Sequence, residues 1–92
     1  MEWNCKEDRI TYEDQGKVLA EVFFPEEGEN RVNICHTFVD ESIRGQGIAG
    51  QLLERAAKQL RSQGKQAVPT CSYAVLWFEK HPEYGDVLEK KN

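Results

Sequence analysis

The stretch from Ile48 to Leu60 constrains this chain more than any other part of it. Ile48, Leu52, Leu53, Ala56, Ala57 and Leu60 recur at helical offsets, while Gln51, Glu54, Arg55, Lys58, Gln59 and Arg61 fill the opposite side. A helix with one apolar stripe must bury that stripe against another layer. Gly64, just after a basic last turn, is placed to end it. The segments upstream alternate rather than spiral, so the partner layer is a sheet.

Arg9 to Glu13 alternates polar and apolar residues, Asp14-Gln15-Gly16-Lys17 reads as a turn, and Lys17 to Phe24 follows as a strand ended by Pro25. Arg31 to Val39 predicts a third strand. Strict alternation would put Val32, Ile34, His36 and Phe38 on one face, and Asn33, Cys35, Thr37 and Val39 on the other. Short turns make these three an antiparallel meander. After the helix, Gln66 to Cys71 predicts a fourth strand, and a strand-helix-strand crossover sets it parallel to the third. Pro69 removes a ladder donor there, which marks local splaying. Ser72 is placed to cap a C-terminal helix from Tyr73 to Lys80, closed by His81-Pro82, with Tyr84 to Leu88 as a last turn. The expected fold class is α/β in the α+β sense, as one domain over residues 1–92 with 1–8 and 89–92 frayed.

Ninety-two residues suffice for one core and not for two. Sixteen acidic against twelve basic side chains give a formal charge of −4, with no basic stripe. Nucleic acid and anionic membrane are therefore not expected partners. No apolar run approaches the roughly 18 to 20 residues of a membrane helix. Cys5, Cys35 and Cys71 are an odd, widely spaced set without a leader segment, which predicts free thiols and a cytoplasmic setting. Two histidines and three cysteines without short ligand spacing predict no metal site.

The chemistry concentrates in Arg44-Gly45-Gln46-Gly47-Ile48-Ala49, between a strand and the amphipathic helix. Gly45 and Gly47 allow a sharp turn and close approach to the main chain. The first helical turn offers unpaired amides backed by the helix dipole, so a diphosphate fits there with Arg44 at the rim. Neither common nucleotide motif matches: no lysine with serine or threonine closes the loop, and the spacing is not a dinucleotide fingerprint.

Arg44 to Ala49 resembles the Gln/Arg-x-x-Gly-x-Gly/Ala motif of the GCN5-related N-acetyltransferases, in the same strand-to-helix context. His36-Thr37-Phe38-Val39-Asp40, Pro69-Thr70-Cys71-Ser72-Tyr73 and His81-Pro82-Glu83-Tyr84 are similar to the minimal branch of that family, which includes N-acetyltransferase domain-containing protein 1. The resemblance spans about Ile10 to Leu88. It implies acetyl-CoA as cosubstrate in a cleft where the third and fourth strands diverge, its pyrophosphate on Arg44, Gly45, Gln46, Gly47, Ile48 and Ala49, mainly through backbone amides. The helices that larger relatives insert after the first strand are absent here, so an open acceptor site, or one completed by another subunit, is expected.

Acetyl transfer from a thioester to an amine needs a neutral amine, a polarised carbonyl and a protonated leaving thiol. Three residues are candidates. Cys71, at the end of the fourth strand, either attacks the thioester or lines the acyl pocket, against a bland reading as a packed cysteine. His36 is poised near neutrality as a proton acceptor or a polariser of Cys71, against a core histidine. Tyr73 is a candidate proton donor to the leaving thiolate, against simple packing. The expected function is acetyl-CoA-dependent N-acetyl transfer to an amine, on a small molecule or a protein, by a monomer or weak dimer. The alternative is a non-catalytic CoA-binding or interaction module.

Overall fold

The computed structural model describes residues 1–89. Its strands are β1 (Glu2–Cys5), β2 (Arg9–Asp14), β3 (Lys17–Phe23), β4 (Arg31–Ile34), β5 (His36–Val39) and β6 (Gln66–Pro69). Helix α1 (Ile48–Gln63) lies between β5 and β6, and α2 (Ser72–Lys80) follows β6. Short 3-10 segments occupy Glu41–Ile43 and Pro82–Val87. Antiparallel pairing orders one sheet β1-β2-β3-β5, and β4 pairs with β6 in parallel apart from it. The β2–β3 hairpin turns on Gln15 and Gly16, both at positive φ (50° and 81°), as a two-residue hairpin loop demands.

The α1 stripe is buried as the periodicity predicts, at all six positions. Gly64 ends the helix in the left-handed region, its N–H donating to the Arg61 and Leu60 carbonyls. Against α1 lie Ile10, Ala20 and Val22 from β2 and β3, each fully buried. Trp77, Phe78, Tyr84 and Val87 close the core from the C-terminal side.

Three expectations are corrected. Residues 1–8 do not simply fray, because Glu2–Cys5 pairs with β2. Trp3 packs against Tyr12 with centroids 4.5 Å apart, and the Arg55 guanidinium of α1 lies 4.1 Å from the Trp3 ring. At the other end Glu89 is held by Arg31 at 2.9 Å, and its N–H donates to the Ala67 carbonyl. The rest of the expected fraying, over 90–92, lies outside the described residues.

The third correction shapes the site. The strand expected over Arg31 to Val39 breaks at Cys35, and its halves serve different sheets. Cys35 N–H donates to the Phe23 carbonyl, while His36 is the residue that pairs with Phe23, so two residues face one. One extra residue reverses a period-two pattern. Val32 and Ile34 are therefore buried, but after the break Thr37 and Val39 turn inward while His36 and Phe38 are exposed. The parallel alignment expected after the crossover is formed by β4 and β6, with Ile34 opposite Pro69 at its last rung.

Candidate functional site

The glycine turn is held from both sides. The Asp40 carboxylate accepts from the Ser42 amide at 3.0 Å and hydroxyl at 2.6 Å, which holds its own carboxyl below the usual range. Arg44 Nε donates to the Val39 carbonyl at 3.2 Å, laying the side chain along the rim. Gly45 and Gly47 sit at φ 82° and 74°, a region that costs other residues roughly 1–2 kcal/mol. Gly47 occupies the N-cap of α1 without a capping side chain, and Gln51 is the first amide to reach its carbonyl, at 3.1 Å. The amides of Ile48, Ala49 and Gly50 thus have no acceptor among the described residues. Three such donors at the positive end of a sixteen-residue helix suit an anion. The Ile48 side chain is buried in the core, so its contribution is its backbone alone.

A cleft opens because β5 pairs with β3 while β4 pairs with β6. The β4–β6 pair ends where the Thr70 and Cys71 amides both donate to the Ile34 carbonyl, at 3.0 and 3.2 Å. Just past that point the Cys71 sulfur lies 3.5 Å from Thr37 Oγ1 of β5. The N-cap of α2 is Cys71, rather than the expected Ser72, which becomes the first helical residue. Burial pushes the Cys71 thiol up, but the Thr37 hydroxyl and the amides of Ala74, Tyr73 and Thr37 together outweigh it and hold the thiol below its ordinary range. The sulfur closes no full capping hydrogen bond, so the helical amides act on it as nearby dipoles.

Tyr73 is exposed and joins two cavities. One, of about 420 Å³, runs from Val39 over the glycine turn; the other, of about 370 Å³, lies between α1 and α2 beside Gly50, Trp77 and Lys80. Gly47 and Tyr73 border both. The helices approach closely at Gly50, where a side-chain carbon would stand 3.7 Å from Trp77 Nε1 and 3.9 Å from the Tyr73 hydroxyl. His81 stacks on Trp77 at 4.2 Å and its Nδ1 donates to the Trp77 carbonyl at 2.8 Å, which closes α2.

The glycine turn and Tyr73 thus border one cavity, and Cys71, two residues before Tyr73, meets Thr37 of β5. His36 does not join them. It pairs with Phe23 on the outer face of the sheet, one position out of phase with the inward Thr37. Thr37 was not among the residues expected at the site, and only the break at Cys35 turns it inward. Among the described residues no group of three or more His, Cys, Asp or Glu side chains is arranged to hold a metal, and no helix is long and apolar enough to cross a membrane.

This fold with its glycine turn matches a known class of acetyltransferases. The sequence profile of the GCN5-related N-acetyl-transferase family matches residues 9–87, and the chain belongs to that family. A GCN5-like N-acetyltransferase from Staphylococcus aureus superposes with a TM-score of 0.80 at 28% identity, covering 99% of this chain and 90% of that one. An N-acetyltransferase from Staphylococcus aureus Mu50 shares the fold at TM-score 0.62 and 24% identity, over 80% of this chain and 50% of its own. A GNAT-family acetyltransferase from Colwellia psychrerythraea does so at TM-score 0.59 and 25% identity, over 86% of this chain and 30% of its own. No curated protein is significantly similar in sequence. Members of the family use acetyl-CoA.

Proposed function

We propose that this chain transfers acetyl from acetyl-CoA to an amine, with the diphosphate on the amides of the glycine turn and the acyl carbon beside Cys71. The observation that carries this reading is three unpaired amides at the start of α1 beside a cavity that Tyr73 also borders, with the half-buried Cys71 thiol two residues before Tyr73 at the start of α2. The amides and Arg44 supply binding and orientation, and Tyr73, which borders the same cavity, is the candidate proton donor to the departing thiolate. In the covalent route the Cys71 thiolate attacks the thioester carbon, the bond to the CoA sulfur breaks, and that sulfur takes a proton. An amine then attacks the acetyl-cysteine, loses a proton and releases the Cys71 thiolate. In the direct route the amine attacks acetyl-CoA itself and Cys71 lines the acyl site. His36 lies on the outer face and takes no part here, so the proton that the amine loses passes to the Tyr73 phenolate or to water. The three cysteines are free, which accords with a cytoplasmic setting.

Intact mass of the protein after incubation with acetyl-CoA separates the routes. The covalent route gives an adduct of about 42 Da on the wild type that an added amine removes, and none on Cys71→Ala. Full turnover by Cys71→Ala assigns the direct route. Tight CoA binding with no acetylated product across a panel of amines and peptides would overturn transfer in favour of a binding module, and absent CoA binding would overturn both.

A further inference from the structure

We propose that Thr37 is a positioning residue for Cys71, its hydroxyl bridging the open cleft to hold the sulfur in place and to solvate it as the thiolate. The proposal rests on the reading of Cys71 as the group beside the acyl carbon. Thr37 lies on β5 and Cys71 at the start of α2, so their contact at 3.5 Å crosses between the two strand systems rather than running along either. It exists because the extra residue at Cys35 turns Thr37 inward, opposite the fully buried Val22.

A hydroxyl is the side-chain group suited to this place. It accepts the S–H of the thiol, and after deprotonation it rotates to donate to the sulfur, so both protonation states keep a partner. The sulfur also lies near the amides of Tyr73 and Ala74, at the positive end of α2. The thiolate would therefore be held by a β5 hydroxyl and a helix start. The titratable groups on the flanking elements are Arg31 of β4, Cys35 at the break, His36 of β5, and Tyr73, Glu79 and Lys80 of α2; β6 carries none. The side chain hydrogen-bonded to the sulfur is that of Thr37. Its removal has a readout of its own.

The experiment measures the alkylation rate of Cys71 by iodoacetamide against pH, in the full chain carrying Cys5→Ser and Cys35→Ser, with folding checked by circular dichroism. Thr37→Val removes the hydroxyl at nearly constant volume. Its profile is expected to move to higher pH, with the rate near neutrality down on the order of tenfold, the scale of one hydrogen bond to a charged group. Thr37→Ser is expected to restore the parent profile. In acetyl transfer, Thr37→Val should lower kcat and leave KM for acetyl-CoA unchanged. Should valine disturb the fold, Thr37→Ala makes the same comparison. A folded Val or Ala variant with an unshifted profile overturns the proposal, and so does a serine variant that behaves like valine. Because alkylation uses no acetyl-CoA, a shifted profile without acetyl transfer upholds the role of Thr37 and overturns the catalytic reading instead.

Discussion

Gly47 holds a conformation that side-chain-bearing residues adopt only under strain, at φ 74°, yet nothing lies within 4 Å of where its Cβ would be. Substitution there acts through the backbone rather than by collision. Gly47→Ala is expected to cost about 1 kcal/mol, lowering Tm by roughly 4–8 °C, and to weaken CoA binding because relaxing φ re-aims the first amides of α1. Calorimetry on both properties checks this; a lower Tm with unchanged CoA affinity would argue that the turn does not bind the diphosphate. The shape of this turn was legible in the sequence, since two glycines one residue apart before a helix mark a sharp bend. His36 and Thr37 were not, because their inward and outward roles depend on one unpaired residue, and a repeating alternation contains no mark of where it slips. The cap of α2 was misplaced by one for a similar reason: Ser72 is the better capping side chain, but the Ile34 carbonyl holds the amides of both Thr70 and Cys71 and ends the strand there.

Among the elements, α1 was the most legible, because sixteen residues repeat one pattern over several turns. The four-residue β1 was the least, since its order comes from Tyr12 and Arg55, both distant in sequence. Gly50 is the odd residue within α1, carrying the conformational freedom that destabilises a helix. The neighbours its Cβ would meet, Trp77 and Tyr73, stand at ordinary contact distance. Gly50→Ala is therefore expected to stabilise the protein by roughly 0.5–1 kcal/mol, read as a rise in Tm. A fall in Tm would show that α1 and α2 must approach more closely than these distances allow.

Across the whole molecule, three carboxylates accept hydrogen bonds in separate places and are held below their ordinary values. Glu13 accepts from Thr11 and from Asn4 of β1, Asp40 from Ser42 before the glycine turn, and Asp86 from Arg61 of α1. A carboxyl whose folded value is depressed stabilises above its unfolded value, here 3.8 for Asp and 4.5 for Glu, and loses that effect as pH falls through the folded one. Tm should then be level with respect to these groups above about pH 5 and decline below about pH 4. Scanning calorimetry from pH 7 to 3 tests it, and a level profile down to pH 3 would contradict it. The parting of β5 from β6 bears on a different quantity, the cost of binding. Among the described residues, the handover at Cys35 leaves β5 paired as a strand with β3 alone, so no strand has to be displaced from its other edge. For the acetyl-CoA transfer proposed above, the ordering that association usually demands of the protein would then already be met in folding.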